Sequence, residues 1–388
     1  MQVILIIGSV QALFFAVLLV NKRRRRLHDK ILALWLGILG LHLAFAYWLF
    51  LKELTYLNFA GYDAGIIVLY YSLMYLYARA VISGEDRLQG RWFLHLLPCL
   101  LVYALMFPFL RHDQLGRSNE LLQDLSPVTL LSLLLAIASA IGYLLAIFRL
   151  IGRHEINIKK TYSYDDNINL QWLKKLALLL AGNSLFLLIA VLYVYYLRFS
   201  SSESSIQLYS DLDFVGYSLF AVFIYLLGYF GYKQGNIFVH HPAPVGEGSG
   251  KPASQTVWKK SSTTPEERVS ENQEKDFVRA LYDFMEQEQP YLDSTLSLYH
   301  LAKQLSVSSH YLSHILNSRV RKNFYEFINH YRIDEVKRRI GSDQYSKYTI
   351  LGIALDCGFN SKATFNRTFK NYTGYTPSQY QQEFGSNN

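Results

Sequence analysis

An all-α chain in two parts is what this sequence predicts. A seven-helix transmembrane bundle comes first, and a soluble helical domain with two helix-turn-helix motifs comes second. Three observations lead there. The composition is 51% hydrophobic and only 18% charged over 388 residues, with a mean hydropathy of +0.11, whereas soluble domains carry about a quarter charged residues. Long apolar runs fill residues 1–237. Past Glu274 the apolar residues recur at helical spacing, without strand alternation. The net charge of +8 is compatible with nucleic acid, an anionic membrane surface or topology alone. Cys99 and Cys357 are too few for a disulfide scaffold or a cysteine metal cluster, so neither metal nor cofactor is expected.

A helical crossing needs roughly 20 apolar residues. The first run, Met1–Val20, carries no charge and ends against Lys22–Arg26. A cleaved signal peptide has its positive charge before the apolar run, so a retained helix is the better reading. Six more runs come after it: Ile31–Leu51, Gly61–Ile82, Trp92–Leu110, Pro127–Leu150, Leu176–Leu197 and Phe214–Tyr232. With the N-terminus outside, the inner loops collect Lys22–Arg26, Lys30, Arg87, Arg91, Arg153, Lys159, Lys160, Lys174 and Lys175. The outer loops hold only Lys52, Arg111, Arg117 and Arg198. The positive-inside rule therefore orients all crossings consistently and sends the C-terminal part into the cytoplasm of an inner-membrane protein. Gln11, His42 and Asn183 fall near the middle of their spans, with Ser184 beside Asn183; His95 lies nearer the inner face and Asp63 nearer the outer. Such groups serve as interhelical hydrogen bonds or as a pocket for an unknown ligand or membrane partner. The candidate signal pocket is Gln11, His42 and Asn183.

From residue 238 to 271 Pro, Gly, Ser, Thr, Lys and Glu dominate, which reads as a flexible cytoplasmic linker. Gly246–Lys251 imitates a phosphate loop, but no strand precedes it, Pro252 comes directly after it, and its first glycine is out of register. The soluble domain then occupies residues 272–388. Ser297 caps a short helix with Leu298, Leu301, Ala302 and Leu305 inward, and Ser306–Ser308 turns into a second helix carrying Leu312, Ile315 and Leu316. This first motif spans about residues 297–317. The arrangement returns 52 residues on, over about 349–372. Ile350, Ile353 and Ala354 precede a turn at Cys357–Phe359, and Asn360 or Ser361 caps a helix with Phe365 and Phe369 inward.

A longer helix, about Asn323 to Arg339, joins the copies. At about 1.5 Å per residue it spans roughly 25 Å, suited to setting two recognition helices about one DNA turn apart. Outward-facing residues are His310, Ser313, His314 and Asn317 in the first copy, and Lys362, Thr364, Asn366, Arg367 and Lys370 in the second. Arg and Lys suit guanine, and Asn suits adenine.

Leu301-Ala302, Tyr311-Leu312-Ser313, Phe324 with Arg332, Ile353-Ala354 with Gly358-Phe359, the run Phe365–Lys370, and Thr373–Pro377 with Tyr380 resemble the DNA-binding domain of the AraC family of transcription regulators. The resemblance covers about a quarter of the chain. It implies a two-subdomain helical fold that binds double-stranded promoter DNA. It places His310, Ser313 and His314 at base-facing positions of the first recognition helix, and Lys362, Ala363, Asn366 and Arg367 at those of the second. The first copy departs from the family pattern at Ser306, where glycine is usual, and at Leu316-Asn317 in place of Phe-Lys; its DNA contact is expected to be weaker or differently specific.

Residues 272–388 hold 14 Lys plus Arg against 12 Asp plus Glu, so DNA binding is argued from the motif and not from bulk charge. The basic runs Arg319–Lys322 and Lys337–Arg339 suit phosphate contact or a solvated face equally. The spans lack paired carboxylates, a His-Glu-x-x-His motif and a nucleophile elbow, so no catalytic residues and no enzyme are expected. The expected function is a membrane-anchored one-component regulator, in which two DNA-binding domains meet if the bundle forms a homodimer. The alternatives are a transporter or receptor carrying a regulatory helix-turn-helix domain, or a domain that docks a protein.

Overall fold

The computed structural model describes residues 2–23, 25–51, 60–85, 87, 89–112, 127–164, 168–199, 205–237, 271–345 and 347–384. Among them all regular structure is helical, apart from one isolated antiparallel bridge between Tyr162 and Ser297. The expected linker lies almost wholly outside the described residues, as does the side chain of Asp63. The chain divides into two compact units. One comprises Met1–Arg153 with Leu170–Ala243, the other His154–Asn169 with Pro244–Asn388.

The first unit contains α1 (Gln2–Val20), α2 (Leu27–Leu51), α3 (Ala60–Ser83), α4 (Leu97–His112), α6 (Gln171–Phe199), α7 (Ser205–Ile237) and most of α5 (Pro127–Thr161). Six of these helices are long and apolar enough to cross a membrane by length and composition. The seven-span count is not reached among the described residues. The fourth expected crossing, Trp92–Leu110, is divided between a 3-10 stretch at Gly90–Leu96 and the 16-residue α4. Large apolar side chains stay outward on the long helices, among them Val3, Phe14, Leu41, Trp48, Leu134 and Ile141. The inward faces bury Trp35, Tyr70, Tyr71, Tyr77 and Phe223. Glycine allows close approach at Gly228, where an added Cβ would run into the Phe15 ring. Polar groups tie helices together: Ser9 Oγ donates to Gly40 O at 2.9 Å and Trp172 Nε1 to Gln234 Oε1 at 2.8 Å. At the start of α2, buried Asp29 accepts from Lys22 Nζ at 2.8 Å and from Arg26 N at 2.9 Å.

The second unit is built from α8 (Glu271–Gln287), α9 (Leu298–Gln304), α10 (Ser309–Ile315), α11 (Phe324–Ile340), α12 (Ile350–Asp356), α13 (Lys362–Thr373) and α14 (Pro377–Phe384). Its short helices start where the sequence supplies a capping oxygen. Ser297, Ser308, Thr349 and Ser361 each accept from the backbone N–H three residues on. Asn323 and Glu326 form a reciprocal capping box at the start of α11. Two cores result. Leu281, Met285, Leu301, Leu312, Phe324 and Phe327 fill the first. Ile333, Val336, Ile353, Cys357, Phe365 and Phe369 fill the second. α11 donates its first half to one core and its second half to the other, so one continuous helix fixes the relation of the two motifs.

Candidate nucleic-acid interface

The two motifs turn on the same hydrogen bonds. In the first, Val307 N donates to Ala302 O at 2.9 Å and Ser306 N to Lys303 O at 3.1 Å. In the second, Phe359 N donates to Ala354 O at 3.1 Å and Gly358 N to Leu355 O at 3.0 Å. This paired pattern ends a helix on one left-handed residue. That residue is Ser306, at φ 58°, in one copy and Gly358, at φ 91°, in the other. Asn360 lengthens the second turn by a residue, and its amide donates to Ser294 O at 3.1 Å. Ser361 therefore provides the cap and Asn360 does not.

On α10, His310 and His314 are exposed and Ser313 is half-buried, and Asn317 is exposed just past the helix end. Asn317 Nδ2 donates back to Ser313 O at 2.7 Å and to Ser313 Oγ at 3.3 Å. The helix then loosens into a π turn over Leu316–Val320 and stops at Arg321, φ 57°. On α13, Lys362, Ala363, Asn366, Arg367 and Lys370 are exposed. Thr364, expected outward, is instead only 3% exposed. It precedes Phe365 and lies on the side of the helix that Phe365 and Phe369 turn inward, so its register is the core's. A shallow groove of about 490 Å³ runs beside α13, bordered by Lys362, Asn366, Arg367 and Lys370 and by Thr376 and Ser378 at the start of α14.

Electrostatics separate the two copies further. Glu274 of α8 binds Arg319 and lies 3.9 Å from His314 Nε2. Arg338 and Arg339 both bond Glu335 Oε1 at 2.6 Å, which holds that carboxyl below the usual carboxylate range. Lys337 reaches Asp334 at 3.3 Å. Most of the basic runs are thus engaged within the unit. The sequence gives little sign of Glu274; its spacing to the first recognition helix is long, and only its place on a helix entering the domain hints at it.

In the first unit, His42 Nδ1 meets Tyr70 OH at 2.6 Å. Asn183 is buried, and its Oδ1 has no partner among the described residues. Neighbouring Ser184 Oγ accepts from Tyr71 OH at 3.2 Å. Gln11 is half-buried. These three residues lie on α1, α2 and α6.

Residues 301–383 match the family described as "Helix-turn-helix domain". Uncharacterized HTH-type transcriptional regulators of Staphylococcus aureus strains COL and MSSA476 are each 35% identical over 106 residues, 27% of this chain and 13% of theirs. The match thus spans about 13% of the length of these curated relatives. A solved structure from Listeria innocua, titled as a protein of unknown function, aligns at 23% identity with a TM-score of 0.24, over 27% of this chain and 95% of that one.

Proposed function

We propose, on the premise that the C-terminal residues form an AraC-type helix-turn-helix domain, that this chain is a membrane-anchored one-component transcription regulator. The helices of residues 1–237 anchor it in the inner membrane, N-terminus outside and C-terminal unit in the cytoplasm, and sense a ligand or membrane partner. Six apolar helices and the positive-inside distribution of Lys and Arg support the anchoring. The observation that carries the DNA reading is the exposed row Lys362, Asn366, Arg367 and Lys370 on a capped helix behind a helix-turn-helix turn. Arg367 and Lys370 suit guanine edges or phosphate, and Asn366 suits adenine. Ala363 is small enough for the helix to lie close to the groove floor or to meet a thymine methyl. His310, Ser313, His314 and Asn317 form the first reading face. Thr364 is left out of the reading face because it is buried.

The test uses the full chain in lipid nanodiscs and promoter fragments from around its own gene. Sequence-selective retardation is expected, abolished in the double variant Asn366→Ala/Arg367→Ala. Retention of affinity in that variant would show that the domain docks something other than DNA bases.

A further inference from the structure

Arg332 lies in the middle of α11 and is 1% exposed. A guanidinium has five N–H donors, and here each has an acceptor. Nε donates to Tyr291 O at 2.8 Å, and one terminal nitrogen to Asp293 O at 2.8 Å and to Ser163 Oγ at 3.0 Å. The other donates to Ser163 O at 3.1 Å and to Asn329 Oδ1 at 3.4 Å. Two of the five acceptors thus come from one serine, 169 residues earlier. Ser163 is itself 1% exposed. Its backbone N–H and hydroxyl both donate to Leu296 O, at 3.3 and 2.7 Å, and its carbonyl also accepts from Asn329 Nδ2 at 3.1 Å. Tyr162 pairs with Ser297, the cap of the first motif.

The other side of the same guanidinium faces the second motif. Its carbon stands 5.9 Å from the centre of the Phe359 ring, and Gly358 lies close enough that a Cβ there would come within 2.9 Å of Nε. A second thread runs beside it. Lys159 Nζ lies 6.0 Å from the centre of the Tyr325 ring, and Tyr325 OH meets Thr368 Oγ1, on the second recognition helix, at 3.3 Å. Burial lowers the Arg332 pKa to about 10, in keeping with a cation surrounded by neutral acceptors.

We infer that residues 159–164 are a strap of this chain's own, docked in a socket of the helix-turn-helix unit, and that docking sets the DNA-competent spacing of the two motifs. The inference rests on the DNA reading above. The strap joins the end of α5 to the start of α6, so a change in those helices pulls directly on the serine that satisfies Arg332. With the strap seated, the chain before the first motif, the connecting helix and the second turn share one fully bonded cation. With it withdrawn, at least two buried N–H groups lose their partners, and the motifs lose the preorganisation that favours binding.

The test uses the full chain in nanodiscs and DNA that the wild-type chain selects from a random pool. Tyr162 and Ser297 face each other as a non-hydrogen-bonded antiparallel pair, close enough for a disulfide. The double variant Tyr162→Cys/Ser297→Cys is expected to cross-link internally on oxidation. Ser163→Ala removes the hydroxyl shared by Arg332 and Leu296 and is expected to bind roughly tenfold more weakly. Protection of buried Cys357 from thiol reagent reports whether this variant stays folded. If it does not, Lys159→Ala takes its place, with an expected loss of about threefold. Failure of the cross-link overturns the docking, and wild-type affinity in folded Ser163→Ala or in Lys159→Ala overturns the coupling. If the wild-type chain selects no DNA, the regulator reading falls and the coupling with it, while the cross-link alone still decides whether the strap docks.

Discussion

The two helix-turn-helix copies share a turn and differ in the helix that leaves it. Both end their first helix on the same pair of backbone hydrogen bonds, with Ala302 and Ala354 as equivalent acceptors. In the second copy the left-handed position is glycine, the turn has an extra anchored residue, and α13 runs unbroken for 12 residues. In the first copy a serine takes the left-handed position, and α10 loosens into a π turn after seven residues. Its outward histidine faces an acidic neighbour. On the proposed DNA reading, the second copy presents its face on an unbroken helix, and the first presents its face on a helix that runs into a π turn.

The sharpest way to break this comparison is to exchange the left-handed residues. A Cβ on Gly358 would come within 2.5 Å of Tyr291 O and 3.0 Å of Leu292 O, both backbone atoms. Gly358→Ala is therefore expected to destabilise the second core by about 3 kcal/mol. Thiol labelling of adjacent Cys357, which is fully buried and whose pKa burial raises to about 12, should accelerate by roughly a hundredfold. Unchanged protection would mean the second turn is no stiffer than the first.

Next in size are the reading faces. Arg367→Ala and Asn366→Ala are each expected to cost about 1–3 kcal/mol of DNA binding, measured by fluorescence anisotropy at fixed salt. His310→Ala and His314→Ala should each cost under about 1 kcal/mol. Equal losses in both copies would erase the functional distinction. A smaller effect of opposite sign is expected at the first turn. Ser306→Gly relieves a left-handed serine and should stabilise the unit by about 0.5–1 kcal/mol, seen as a higher urea midpoint.

The smallest effect concerns pH. His330 is half-buried between Lys322, 3.1 Å from Nδ1, and Tyr372, 3.1 Å from Nε2. Burial, then Lys322 and Lys337, hold its pKa below the usual histidine value, against the pull of Asp334. The folded state therefore binds the proton less readily than the unfolded chain. The stability this histidine contributes is complete above about pH 6.5 and falls as the pH drops below it. His330→Gln should flatten that part of the pH–stability curve, and an identical slope would remove the assignment.

The helical class, the capped short helices and the 52-residue repeat are legible because each rests on local rules of apolar spacing and capping oxygens. Phe365 and Phe369 announce the inward face of α13. Thr364 misleads because its polar side chain suggests solvent, although its place beside Phe365 puts it on the core side. The fourth expected crossing is the one that apolar content marks but that no single long helix carries among the described residues. Glu274 has only its place on α8 to announce it, and Ser163 has no local signature at all. Their roles depend on where Arg319 and Arg332 lie in space, and a separation of 169 residues leaves no periodicity to read.

That separation also sets an order of events in biosynthesis. Ser163 leaves the ribosome long before Arg332; at roughly 5–20 residues per second the interval is about 10–30 s. During that interval the serine waits for its cation while helices α6 to α10 are made. A C-terminal fragment clipped from the chain lacks the earlier segment and is left with unmet donors in its centre. The connecting helix α11 is thus completed by a segment made between the long apolar helices α5 and α6, and the second motif is still to be made when it forms.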